Sequence, residues 1–315
     1  MFEYLGNLEG QRMASSNASS RWIDDATFRA DIDYLDTLWQ RRRVGQYDLP
    51  VIDIGEDAGD GPVVCVPILE HLDFVYSRQV RDLSKTHRVL FYRRHESRTR
   101  PVNASERVEE LRAVLDSQSV ERANFIAHGD AAIVLIEFAI RYPQRCRSLT
   151  LLVQGPDYVI APHPFIWILH ELFLRLPVEH ILPTPFLSRI VTNYATARSK
   201  ENTTRPSVPR HLIERQFGTI SRWPAVYKFS VLPVIHTVDF YERLAPLTMP
   251  VLVLNRHDDR LTPEPKTRWL AGHLPNCAGY FVVDGGERFF MYAQSAVVNP
   301  IIERFLAQLA ETASV

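Results

Sequence analysis

The chain has 315 residues, of which 46% are hydrophobic and 23% are charged, and its formal net charge is -1. This balance is typical of a globular protein, and the near-zero net charge argues against a nucleic-acid partner. No apolar run approaches the roughly 20 residues that cross a bilayer as a helix, which argues against a transmembrane segment.

The three cysteines, Cys65, Cys146 and Cys277, are an odd number without the spacing of metal ligands. We therefore expect no disulfide framework, no metal ion and no cofactor. Residues 1–6 lack the basic and apolar regions of a signal peptide. Together these features predict a cytoplasmic protein.

The N-terminal part of the chain is predicted to contain an arm and one helix. Residues 1–22 are polar and mixed, so we expect a loose arm. Apolar residues at helical spacing predict a helix over 24–43. The arginines 41–43 would close this helix, because cations suit the C-terminal end of a helix dipole.

Strands and helices then alternate, which predicts βαβ units and a mainly parallel sheet. Asn103 is the expected N-cap of one helix, with Glu106 three residues later. The predicted strands are 48–55, 62–67, 88–92, 124–127, 148–153, 249–254 and 280–283, and the predicted helices are 76–83, 104–115, 263–271 and 300–309.

The segment 122–141 combines a buried strand over 124–127, a tight turn and an apolar helix. This arrangement resembles the nucleophile elbow of the α/β-hydrolase family, where the nucleophile is the middle residue of a small-x-nucleophile-x-small pattern. Here the pattern falls on Ala127, Gly129 and Ala131. Glycine therefore stands where the family has its nucleophile.

Four other segments strengthen the resemblance, which covers about residues 48–309. Residues 76–83 resemble the first family helix, and 141–149 the run that follows the elbow helix. Residues 255–263 resemble the turn of the catalytic acid, and 284–291 the turn of the catalytic histidine.

The resemblance implies an α/β-hydrolase fold, with a mainly parallel, doubly wound sheet and a helical cap inserted after the sixth family strand. The expected parts are an N-terminal arm and helix (1–45), a first core part (46–153), a helical cap (154–246) and a second core part (247–315). The cap segment is rich in proline and aromatic residues. Its candidates for a pocket roof are Phe165, Trp167, His170, Trp223, Tyr227 and His236.

The resemblance also implies that the catalytic triad is degenerate. Gly129 cannot attack a carbonyl, and Arg288 stands at the histidine position, where a permanently protonated side chain cannot shuttle a proton. Asp259, beside Asp258, occupies the acid position. The oxyanion loop falls on Pro67, which has no N–H group, and Ile68, which is disfavoured at positive φ.

Several residues are candidates to replace the lost chemistry. Asp130 is a possible nucleophile one residue out of register, and His128 a possible acid or base. Glu70 and His71 follow the oxyanion strand and are a second possible acid–base pair, with a solvated loop as the alternative.

The acid and histidine positions permit two arrangements. Arg288 either forms an ion pair with Asp259 or holds the carboxylate of a ligand. The run 93–96 is expected to be a surface loop with counter-charges, and Asp157 is a spare acid.

Three functions remain open from the sequence. The first is a non-hydrolytic protein that binds a small apolar molecule or a protein partner. The second is a non-hydrolytic enzyme, such as a cyclase, isomerase or lyase, that uses general acid–base residues. The third is an esterase or thioesterase with a displaced triad.

Overall fold

The computed structural model describes residues 11–13, 22–57, 59, 61–157, 164–196, 207–236, 238–257, 259, 261–283 and 288–313. Its described strands are β1 (Gln11–Met13), β2 (Gln40–Val44), β3 (Tyr47–Ile54), β4 (Val63–Val66), β5 (Val89–Tyr92), β6 (Ala123–His128), β7 (Cys146–Leu152), β8 (Val251–Arg256) and β9 (Cys277–Val283). Its described α-helices are α1 (Asp25–Leu38), α2 (Phe74–Leu83), α3 (Ala104–Ser117), α4 (Asp130–Arg141), α5 (Pro164–Arg175), α6 (Thr184–Ala195), α7 (Arg210–Thr219), α8 (Trp223–Val226), α9 (Leu232–Ile235), α10 (Glu264–His273), α11 (Phe290–Ala293) and α12 (Ser295–Ala313), and a π-helix (Tyr227–Val231) joins α8 to α9.

The strands form one sheet in the order β1-β9-β8-β7-β6-β4-β5-β3-β2. The pairs β2–β3 and β3–β5 are antiparallel, and the other pairs are parallel. Every residue of β4, β5, β6 and β8 is buried. These short, mostly apolar strands are covered by helices on both faces, as parallel sheets require. The α/β architecture and mainly parallel sheet are confirmed.

The prediction of one helix over 24–43 is wrong for its last five residues, 39–43. The helix begins after Asp24, whose side chain accepts a hydrogen bond from the Thr27 N–H at 2.8 Å, and it ends at Leu38. The arginines 41–43 lie on the edge strand β2, and Gly45, at φ 55°, lies in the turn to β3. Exposed charges on an edge strand discourage pairing with other chains, which gives these three arginines a role in β2 instead of at a helix end.

Two further expectations about the chain ends need correction. Within the predicted loose arm, Gln11–Met13 forms a strand parallel to β9. The last helix begins at Ser295, so Pro300 lies inside it. Proline removes one backbone hydrogen bond from a helix. The burial of Val298 and Ile302 on the same helix offsets that loss.

Between β7 and β8 lies a segment whose described elements are short helices, α5 to α9, named here the helical insertion. Two backbone groups of Ser97 bond to Ser230 Oγ, with distances of 2.7 and 3.1 Å. The Arg288 N–H also donates to the Ala195 carbonyl at 3.2 Å. The insertion is therefore fixed to the core on two sides. Among the described helices, none is both long and apolar enough to cross a membrane.

Candidate functional site

The turn between β6 and α4 has the backbone geometry of a strand-to-helix elbow. Gly129 is the N-cap of α4 and adopts φ 61° and ψ -127°, a backbone conformation that residues other than glycine adopt only with strain. Ala127 and Ala131 on either side are fully buried, so the small residues of the pattern allow strand and helix to approach closely. The turn directs the N-terminus of α4 toward a cavity.

The cavity has a volume of about 170 Å³ and lies between the elbow and the helical insertion. For comparison, an engineered apolar cavity of about 150 Å³ binds benzene. Its wall is mostly apolar, with His128, Asp130, Tyr227 and Arg288 as its charged or titratable members. The lining residues are Ile68, Leu69, Leu72, His128, Gly129, Asp130, Ile190, Val191, Ala195, Phe217, Trp223, Tyr227, Val231, Ile235, Leu261, Arg288 and Phe289.

Asp259 and Arg288 form a buried ion pair beside this cavity. Arg288 Nη1 lies 2.6 Å from Asp259 Oδ1, and Arg256 Nε lies 3.2 Å from Asp259 Oδ2. Asp259 Oδ1 also accepts from the backbone N–H groups of Leu261 and Thr262, at 2.9 and 2.8 Å. Of the two predicted arrangements, the Arg288–Asp259 ion pair is therefore present. Asp258 lies outside the described residues.

The environment of Asp259 keeps its carboxylate ionised. Burial alone would raise the pKa of Asp259, but the guanidinium groups of Arg288 and Arg256 and the Thr262 hydrogen bonds lower it to about 2. A carboxylate held in this way is an internal counter-ion. Its partner Arg288 cannot act as a proton shuttle.

His128 is buried and held as a neutral imidazole. Its Nε2 lies 2.7 Å from the Arg288 carbonyl oxygen, so Nε2 carries the proton and donates it. Burial and the nearby guanidinium of Arg288 lower the pKa of His128 to about 3. The His128 backbone N–H donates to the hydroxyl of Tyr76 at 2.9 Å. At neutral pH this imidazole is a weak base whose ring is fixed in orientation.

The lowered pKa of His128 predicts a pH dependence of stability. Between about pH 3 and pH 6.5 the unfolded chain binds the His128 proton and the native protein does not, so the free energy of unfolding rises with pH. One such proton gives a slope of about 1.4 kcal/mol per pH unit. Urea unfolding from about pH 4.5 to 6.5 should show that His128→Gln, which retains an N–H donor, loses a slope of this size. Equal slopes in both proteins would contradict the assignment.

Asp130 belongs to a chain of buried ion pairs. Arg94 Nη1 lies 2.8 Å from Asp130 Oδ2, and Arg94 Nε lies 2.7 Å from Glu96 Oε1. Arg107 Nη2 contacts the other Glu96 oxygen at 3.1 Å. The side chains of Arg94, Glu96 and Arg107 are at most 2% exposed. The prediction that 93–96 is a surface loop is therefore wrong for Arg94 and Glu96, because their counter-charges lie on α3 and α4 inside the protein.

The loop after β4 holds Glu70 in an ion pair of its own. Arg98 Nη2 lies 2.5 Å from Glu70 Oε1. His71 adopts φ 64°, and the cavity wall on this side consists of Ile68, Leu69 and Leu72. Burial raises the pKa of Glu70 and lowers that of His71. The acid–base role predicted for Glu70 and His71 has no support in this arrangement. Pro67 precedes the wall residues, and its part in an oxyanion loop stays a prediction.

The structure brings two of the roof candidates, Trp223 and Tyr227, to the cavity. His236 lies elsewhere, with Nε2 2.7 Å from Glu171 Oε1. The side chains of Phe165, Trp167 and His170 lie outside the described part. The spare acid Asp157 contacts Lys266 Nζ at 2.6 Å through Oδ2.

Sequence reasoning missed most of the apolar wall. Val191 and Ala195 are four residues apart on α6, and Tyr227, Val231 and Ile235 follow the same interval. This spacing places side chains on one helical face and could have predicted them. Phe217 and Leu261 had no such signal.

Within the described residues, no cluster of His, Cys, Asp and Glu is arranged to hold a metal ion.

Comparison with known proteins agrees with this architecture. No family model matches the sequence. A protein of Azorhizobium caulinodans, named "Putative carbamate hydrolase RutD", is 25% identical over 259 residues, which span 73% of this chain and 85% of that protein. A poly(3-hydroxyalkanoate) depolymerase of Ectopseudomonas oleovorans is 23% identical over 197 residues, which span 62% of this chain and 64% of the depolymerase.

Solved structures resemble the chain over most of its length. A thermophilic esterase of Thermogutta terrifontis superposes with a TM-score of 0.68 at 15% identity, covering 86% of this chain and 99% of the esterase. The enol-lactonase of Burkholderia xenovorans LB400 superposes with a TM-score of 0.66 at 18% identity, covering 85% of this chain and 100% of the lactonase. With the sheet order above, these likenesses show that the chain has the α/β-hydrolase fold. All four of these relatives bear the names of hydrolytic enzymes.

Proposed function

We propose that this chain binds a small apolar molecule in the cavity beneath the helical insertion and does not perform serine-hydrolase chemistry. One observation carries the proposal. Glycine occupies the elbow, and the residue at the histidine position is an arginine that forms a buried ion pair with Asp259. The elbow backbone is present, but these two positions supply neither a nucleophile nor a base.

The other cavity residues support the same conclusion. Among the described residues that line the cavity, none is a serine, threonine or cysteine. The one imidazole in the wall, His128, donates its Nε2–H to a carbonyl group and has a pKa of about 3. A general base works best with a pKa near the operating pH. This favours binding over an acid–base enzyme that depends on His128.

Cavity size and lining define the class of ligand. A volume of about 170 Å³ suits a compact molecule of about the size of a substituted benzene. The enclosing side chains, such as Phe217, Trp223 and Phe289, are almost fully buried, which favours a small molecule over a protein partner. Filling an apolar site of this kind removes apolar surface from water.

The binding proposal is tested by blocking the cavity. Val191 lines it from α6, and Arg189, on the same helix, has a side chain that is 73% exposed. We expect small aromatic compounds such as toluene or phenol to raise the melting temperature of the wild type and of Arg189→Trp, but not of Val191→Trp. A saturating ligand at 100 times its Kd stabilises by about 2.7 kcal/mol. Equal responses from the two variants, or no response from the wild type, would contradict it.

A hydrolase with a displaced nucleophile is the second candidate, and the names of the relatives favour it over binding. Asp130 is the residue that could serve, since its carboxylate lies at the cavity wall, oriented by Arg94 at 2.8 Å. Hydrolysis of p-nitrophenyl esters by the wild type that disappears in Asp130→Asn, while the fold is retained, would support this second function.

A further inference from the structure

The helical insertion exposes an unusual group of large apolar side chains. Eight large hydrophobic residues are exposed in the described part of the chain, and six of them fall between residues 168 and 190. Ile181 is 77% exposed and Phe186 is 56% exposed. These six residues, named here the apolar face, are Ile168, Leu172, Leu176, Ile181, Phe186 and Ile190.

The spacing of these residues places them on one side of each helix. Ile168 and Leu172 lie four residues apart on α5, and Leu176 follows four residues later, just after the helix ends. The helix is about 18 Å long at 1.5 Å per residue. Phe186 and Ile190 are likewise four apart on α6, and Ile181 lies in the connection between the two helices. Such exposed apolar faces in a folded protein indicate an interaction surface.

The charges around the apolar face point to one type of partner. The carboxylate of Glu179 is 7% exposed and lies 2.6 Å from the buried Lys228 Nζ. Glu171 is 24% exposed and contacts both His236 and Arg175. By contrast, the side chains of Arg175 and Arg189 are 78% and 73% exposed. Among the described residues from α5 to α6, the two acids Glu171 and Glu179 are turned inward and the arginines outward.

We propose that the apolar face docks the protein onto a lipid bilayer that contains anionic phospholipid. Amphipathic helices that lie in the membrane interface combine apolar side chains that enter the acyl boundary with arginines that meet the headgroups. Anionic lipid attracts such exposed basic residues near the membrane surface. A second copy of the chain is the alternative occupant, and the experiment below distinguishes it from a lipid surface.

The apolar face reaches the cavity through one residue. Ile190 is 37% exposed at the surface and also lines the cavity. An apolar molecule in the membrane would therefore meet, at Ile190, a side chain that also belongs to the cavity wall. This link rests on the proposed ligand binding, whereas the docking itself does not.

Vesicle flotation with the full chain tests the docking directly. The probes are phosphatidylcholine vesicles with and without phosphatidylglycerol. The variant is Ile181→Ser with Phe186→Ser, two exposed positions whose replacement leaves the core intact. Tyr241→Ser removes an exposed aromatic side chain (44% exposed) away from the apolar face and is the matched control. Circular dichroism and thermal melting of each protein exclude unfolding as the cause of any loss.

We expect the wild type and Tyr241→Ser to float with the phosphatidylglycerol vesicles, and more weakly with phosphatidylcholine alone. The double variant should partition at least about tenfold less, because one large apolar side chain already shifts such an equilibrium by about that factor. Absence of wild-type flotation, or equal flotation of the folded double variant, would overturn the proposal. A wild-type dimer that becomes monomeric in the double variant, without vesicle binding, would assign the face to self-association and also overturn it.

Discussion

Asp259→Asn is expected to destabilise the protein by about 3–5 kcal/mol, the usual cost of removing one partner from a buried ion pair. The carboxylate of Asp259 is 2% exposed and lies within 3.2 Å of two guanidinium groups, those of Arg288 and Arg256. The substitution leaves both buried cations without this counter-charge. The substitution also replaces the carboxylate that accepts hydrogen bonds from the Leu261 and Thr262 N–H groups with a neutral amide.

Arg288→Met should cost less than Asp259→Asn, because Asp259 retains Arg256 at 3.2 Å. The double variant should lose less stability than the sum of the two single losses, because either substitution alone already removes the ion pair. Urea unfolding at neutral pH measures all three changes. The exposed pair Arg43–Asp48, at 3.5 Å, supplies the control: Asp48→Asn should change stability by no more than about 0.5 kcal/mol.

A cost for Asp259→Asn as small as that of Asp48→Asn would contradict the buried ion pair. Additive effects of the Asp259 and Arg288 substitutions would also contradict it, because residues in direct contact couple.

Restoring the missing groups is expected to create esterase activity. Gly129→Ser combined with Arg288→His would place a hydroxyl on the elbow and an imidazole beside Asp259, whose carboxylate keeps Arg256 at 3.2 Å. A positioned general base typically contributes about 10²–10⁴-fold, so hydrolysis of p-nitrophenyl acetate should rise at least about 10²-fold above the wild type.

The single variants are the controls for this gain. Gly129→Ser lacks a histidine and Arg288→His lacks a nucleophile, and members of a triad act as a unit, so neither alone should approach the double variant. Serine at φ 61° and ψ -127° costs about 1–3 kcal/mol of backbone strain, so melting temperatures must accompany the rates. An equal rate in a folded double variant and in the wild type would show that the elbow does not align these positions for catalysis.

The fold was largely predictable from the sequence because its signals are local. Continuous apolar strands bounded by turn residues gave the central strands, and Asn103 gave a helix start that the structure confirms through its bond from the Glu106 N–H at 3.0 Å. The errors arose where a tertiary partner decides the outcome. Arg41 lies in a strand because it pairs with Pro50 of β3, which helical periodicity does not detect.

The site was predictable only in part, for the same reason. A single sequence places Gly129, Asp259 and Arg288 at turns that follow parallel strands, whose carboxyl ends share one edge of the sheet. It does not show that His128 bonds to the backbone of Arg288, 160 residues away, or that Arg94 lies against Asp130. These contacts set the charge state of the cavity, and they depend on packing.

The absence of a serine-type nucleophile is the central claim, and covalent labelling tests it most directly. Intact-mass spectrometry of the wild type after treatment with a fluorophosphonate should show no adduct, with Gly129→Ser and Arg288→His together as the positive control. A stoichiometric adduct on the wild type, mapped to a side chain at the cavity, would contradict the account.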